Sequence, residues 1–136
     1  MDIAKEKSWV SAGSGVKVEE GAKRSVYKEQ ADVKWEPHPL DDRVKLGYIL
    51  TQKEDGVKVT CILARVPKGA SIPEHTHPVH DIIYPLSGKG KIWIDGLGTL
   101  ELERGVLVNV PPHVRHKVTD VTEDMEIYDV FSDAIV

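Results

Sequence analysis

A chain of 136 residues fits one domain and can bury roughly two thirds of its unfolded surface. Its 40% apolar and 29% charged residues describe an ordinary globular protein, not a disordered or fibrous one. The net charge of −4 comes from 22 acidic and 18 basic residues that are interleaved along the chain, which leaves no basic stripe for phosphates and excludes nucleic acid as an expected partner. No run approaches the ~20 apolar residues of a membrane helix, and "MDIAKEKSWV" lacks the apolar stretch of a secretory signal, so no membrane partner and a cytoplasmic location are expected.

From Met1 to about Gln30 the chain is polar, with "SAGSG" and "EEGAKR" and few core candidates beyond Trp9, Val10, Val16 and Val18. Residues 1–32 therefore read as an N-terminal arm belonging to the same fold, and 33–136 as the folded body. "ADVKWEPHPLDDR" has prolines on both sides of His38 and reads as a turn or loop. Beyond it, "VKLGYILT", "VKVTCILARV", "DIIYPLSG", "KIWIDG", "TLELE", "VLVNV" and "MEIYDVFS" are short apolar runs separated by "KEDG", "PKGAS", "SGKG", "DGLG", "ERG" and "VTED". That texture predicts many short strands joined by tight turns.

Period-two alternation in "TLELE" and "KIWIDG" favours half-buried antiparallel strands. An all-β sandwich or barrel of about eight to ten strands is the expected architecture. Cys61, the one cysteine, lies in an apolar run and reads as a small buried hydrophobe. Pro85 removes a ladder donor inside a strand, which predicts a bulge or an edge there. Counted from Asp81, Ile83 and Pro85 share an inward face, while Ile82, Tyr84 and Leu86 point outward.

"EHTHPVHD", residues 74–81, carries three of the six histidines. On a strand His75 and His77 would project from one face as a two-point chelate, and neutral imidazole suits Zn, Fe, Mn or Ni. The wider spacing is Gly69, five residues, His75, one residue, His77, three residues, Asp81, six residues, Gly88. It continues with Gly105, five residues, Pro111, four residues, His116.

These two motifs resemble those of the cupin family over about Val57 to Ser132. The resemblance implies a cupin jelly-roll β-barrel, or double-stranded β-helix, holding one divalent transition metal near its mouth. By position, His75, His77 and His116 match the three imidazole ligands and Asp81 the slot of the usual glutamate. The glycines match turns between strands, and Pro111 matches the proline before the second-motif strand. "DVFS" resembles the ending of small single-domain cupins, including those that open unsaturated uronates, but this chain continues "DAIV" where two prolines and an arginine are usual. The resemblance also implies a homodimer.

Two departures bear on chemistry. Asp81 is shorter than glutamate by ~1.5 Å, whereas ligand distances tolerate about 0.2 Å. Either the strand shifts inward, or water bridges the gap, or Asp81 orients an imidazole, or a bent chain lets His80 supply the ligand. His113 stands where a glycine is usual.

The catalytic residues are unknown; His113, His80 and Glu74 are the proton-transfer candidates, and Arg65 or Arg115 could hold a substrate carboxylate. A metal (Mn, Fe, Ni or Zn) with open positions fits an isomerase, lyase or dioxygenase acting on a small-molecule substrate such as a sugar acid, keto acid or hydroxy acid. The alternatives are a non-catalytic metal or small-ligand binding module or sensor, and a purely structural cupin.

Overall fold

A computed structural model describes Trp9 and residues 13–136. Val10, one of the arm's core candidates, lies outside the described residues; Trp9, Val16 and Val18 are exposed. Two 3-10 turns, Glu20–Ala22 and Gln30–Asp32, flank a single helical turn, Lys23–Val26. This segment is tied down through polar bonds. Ser25 Oγ donates to Asp55 Oδ1 at 2.7 Å, and Lys28 Nζ pairs with Asp55 Oδ2 at 2.8 Å. Burial pushes the Asp55 carboxyl up, but the bonds from Lys28, Ser25 and the Thr51 amide outweigh it and hold the group below its usual range.

Eight strands follow: β1 Lys34–His38, β2 Asp41–Leu50, β3 Thr60–Val66, β4 Ile72–His75, β5 Asp81–Ile94, β6 Gly98–Glu103, β7 Val108–Val110 and β8 His116–Phe131. All pair antiparallel, in the order β1-β2-β3-β8-β5-β6, with β4 beside β8 and β7 beside β5. Among the described residues the ladder does not close into a ring of paired strands. The two long strands, β5 and β8, run side by side; the first half of β5 also pairs β7 and its second half β6, while the first half of β8 pairs β4 and its second half β3. No helix among the described residues is long and apolar enough to cross a membrane.

"KWEPH", Lys34–His38, is a strand, where a turn or loop was expected from the prolines; the turn is confined to the two residues after it. β1 pairs β2 alone, and proline costs no ladder bond on the free side of an edge. Pro39 and Leu40 make the turn into β2. Pro85 sits beside a register shift in the β5–β8 ladder, the expected bulge. The inward parity of Asp81, Ile83 and Pro85 holds: all three are buried, while Tyr84 and Leu86 are exposed and Ile82 is half-buried. Cys61 is buried as expected.

In "TLELE" only Leu102 is buried; Leu100, on the same parity, is exposed. Gly88 is not in a turn between strands but inside β5, at φ 85°, where a Cβ would stand 2.2 Å from the Asp124 carbonyl oxygen. Val44, Ala64, Val66, Ile92, Leu102 and Ile127 form the centre of the core. One margin of that core is open, and the histidines line it.

Candidate metal centre

The cross-strand pair His75–His116 is the foundation of the site. β4 and β8 place the two residues opposite one another in register, and their rings lie 4.3 Å apart between centroids. β4 ends at His75, so His77 stands past the strand, not on it, and another contact holds it. The His113 amide donates to the His77 carbonyl at 2.7 Å, clamping the loop against the turn before β8. Asp81 opens β5, opposite Val110 and Phe131, and its carboxylate is buried.

One ligand atom from each of His75, His77, Asp81 and His116 lies within 4.8 Å of the others. Asp81 Oδ2 is 3.3 Å from His116 Nε2 and 3.7 Å from His77 Nε2. The short carboxylate thus stands among the imidazoles directly.

The tautomers are set by the backbone two residues upstream. His75 Nδ1 donates to the Pro73 carbonyl at 2.7 Å, and His116 Nδ1 to the Val114 carbonyl at 2.9 Å. Each ring then presents a bare Nε2, as a metal ligand must. Burial, the largest effect, pushes the His75 imidazole below its usual range and His77 down to about 4, so both are neutral near pH 7.

These residues fit a metal ion. With Nδ1 protonated, His116 Nε2 faces Asp81 Oδ2 lone pair to lone pair, which is favourable only with a proton or a cation between them. Asp81 Oδ1 is buried without any hydrogen-bond partner, a costly arrangement that a cation relieves. Two atoms each about 2.1 Å from a common ion are at most about 4.2 Å apart, so the 4.8 Å cluster needs only a small tightening. Three imidazoles and a carboxylate suit borderline divalent ions.

The cluster opens into a cavity of about 300 Å³. Asp129 and His38, neither of them assigned from the sequence, also line it. Asp129, opposite Ile62 and Ile83, is held well above the usual carboxylate range by burial, then by the charge of Asp81 beside it and a hydrogen bond to it. It stands beside the Asp81 carboxylate on the cavity wall. A readable signal existed: in "MEIYDVF" Asp129 falls on the same parity as Met125, Ile127 and Phe131.

His38 reaches the cavity from the end of β1, 6.1 Å from His75 between ring centroids. Its Nδ1 accepts from the Leu40 amide at 3.0 Å, which leaves the proton on Nε2. Sequence spacing carried no sign of that approach.

The remaining candidates lie elsewhere. His80 Nδ1 bonds Asn109 Oδ1 at 2.9 Å, and its backbone exchanges bonds with Ser132, which occupies it in tying β7 to the C-terminal end. His113 is exposed, with φ 65°, and neither ring lines the cavity. Glu74 is exposed. Arg65 pairs with Glu126 at 3.2 Å and stacks over Trp35. Arg115 pairs with Asp95 at 3.0 Å.

Over residues 62–131, more than half of the chain, the sequence matches the Cupin domain family, Cupin_2. The chain is a cupin.

No curated protein sequence matches it. Solved structures share its fold at low identity. An RmlC-like cupin from Shewanella frigidimarina is 21% identical with a TM-score of 0.67, covering 80% of this cupin and 91% of that chain. KdgF from Halomonas sp. is 19% identical with a TM-score of 0.63, covering 77% and 92%. A variant of oxalate decarboxylase from Bacillus subtilis is 20% identical with a TM-score of 0.67, covering 78% of this cupin but only 29% of that chain.

Proposed function

We propose that this cupin is a metal-dependent enzyme acting on a small oxygenated metabolite. The observation that carries this reading is the convergence of His75, His77, Asp81 and His116 on the wall of a cavity large enough for a compact ligand. A divalent Mn, Fe, Ni or Zn ion held by those four residues would supply Lewis acidity to a bound oxygen atom or, if iron, a place for dioxygen. Mn(II) centres in oxalate decarboxylase, a protein of the same fold, add support for a transition metal.

The chain's own groups would do the rest. Asp129 and His38 are the polar residues in the cavity positioned to hold or move a proton, and the apolar wall would exclude water. Turnover of a panel of small keto, hydroxy and sugar acids with each of the four metals tests the reading. Metal-dependent loss of at least one substrate is expected, and no turnover with any metal would contradict it.

A second reading, a non-catalytic ligand-binding module, draws on the position of His80 and His113 away from the cavity. A ligand bound tightly and recovered chemically unchanged would favour it.

We further read the eight strands as a jelly-roll barrel with residues 1–32 as its arm, in a homodimer. The polar bonds from Ser25 and Lys28 to Asp55 support the arm, and a chain starting at Val33 is expected to fold with a lower thermal midpoint. The outward apolar face bearing Tyr84 and Leu86 supports association; a monomer by light scattering at working concentration would remove the dimer.

A further inference from the structure

The cavity wall is chemically lopsided. Its ionisable side chains gather in one cluster, His75, His77, Asp81 and His116, with Asp129 against Asp81 and His38 beside His75. Much of the remaining wall is apolar, built from Leu46, Ile62, Ile72, Ile83, Ile127 and Phe131. Among the described residues no lysine or arginine lines it. The two arginines that sequence offered for a substrate carboxylate are paired with Glu126 and Asp95.

Charge balance follows from this inventory. Three imidazoles, the Asp81 carboxylate and a divalent ion sum to one positive charge. One negative charge on a ligand is then matched at the metal. A second would find no lysine or arginine among the described lining residues to match it, and an unpaired charge against an apolar wall is penalised. Hydroxyls are penalised in the same way wherever they lack partners. Beyond the metal cluster the wall offers, among the described residues, only His38, Tyr48, Thr76 and Asp129 as polar side chains, too few for the ring of a sugar acid. At about 300 Å³ the space is also at the small end of ligand cavities.

We infer that this cavity selects a compact ligand with an apolar body and one metal-binding oxygen group carrying at most a single negative charge, and discriminates against dicarboxylates and sugar acids. The inference rests on the metal-site reading above and narrows its substrate class. It separates this cupin in ligand chemistry from the uses that the names of its structural neighbours would suggest.

A matched set of probes tests it. Protein is loaded with Mn or Zn, its metal content is measured, and it is titrated calorimetrically with 4-methyl-2-oxopentanoate, 2-oxoglutarate and galacturonate. The first two share a 2-oxo acid head and differ in an apolar against a charged tail; the third carries the hydroxyls. The branched 2-oxo acid is expected to bind at least tenfold tighter than either of the others, and not to bind metal-free protein. Equal or tighter binding of 2-oxoglutarate or galacturonate, or no binding of the branched acid to metal-loaded protein, overturns the inference while leaving the metal site standing. Failure to take up metal overturns the reading beneath it.

Discussion

Burial and the neighbouring Asp81 charge favour a proton on Asp129, and an amide donor can take that proton's place. Asp129→Asn keeps the shape and offers an N–H to Asp81, so metal affinity should stay within a few-fold of wild type. Asp129→Ala removes the donor and should weaken metal binding about 10- to 100-fold. Competition with a chelator measures both, and an alanine variant that binds as wild type would sink this role.

His113 has a different one. Its amide clamps His77 from a left-handed backbone position, which glycine adopts without strain. His113→Gly should retain metal and lose no thermal stability, whereas a loss of turnover with metal retained would restore the imidazole as a catalytic group. The metal cluster was legible because its spacing recurs in a known family. His38 and Asp129 were not assigned: one approaches only through the fold of an edge hairpin, and the other needed strand parity extended to a polar residue.

At the scale of elements, β5 depends on close approach to β8. Gly88 combines a positive φ with a backbone contact that leaves no room for a side chain. Gly88→Ala should cost about 3 kcal/mol or more, read as a fall in thermal midpoint on the order of 10 °C. A midpoint within a degree or two of wild type would show that the ladder can shift there. Most strands were readable from alternation because one face of each is buried. β1 was misread because proline signals weigh against a strand, and only its edge position makes Pro37 tolerable. The alternation in "TLELE" says which way Leu100 points, not whether anything covers it.

Over the whole molecule, the buried site makes the metal-free protein sensitive to acid. His77 is held at about 4 by burial when folded and returns to about 6.5 when unfolded. As pH falls through 6.5 the unfolded chain takes up the proton first, so stability declines from there to about pH 4 and no further on this account. Asp129, raised in the folded state, acts in the opposite sense, holding a proton that the unfolded chain releases. Comparison with His77→Ala isolates the histidine: metal-free wild type should lose more thermal stability than the variant between pH 7 and pH 4. Parallel curves would contradict the shift.

The central claim is that four side chains from β4, the loop after it, β5 and β8 hold one metal ion. Elemental analysis joined to X-ray absorption at the metal edge tests it most directly. One equivalent per chain, bound by three imidazole nitrogens and a carboxylate oxygen, is the predicted result. Protein that takes up no Mn, Fe, Ni or Zn, and gains no thermal stability when they are added, would contradict it.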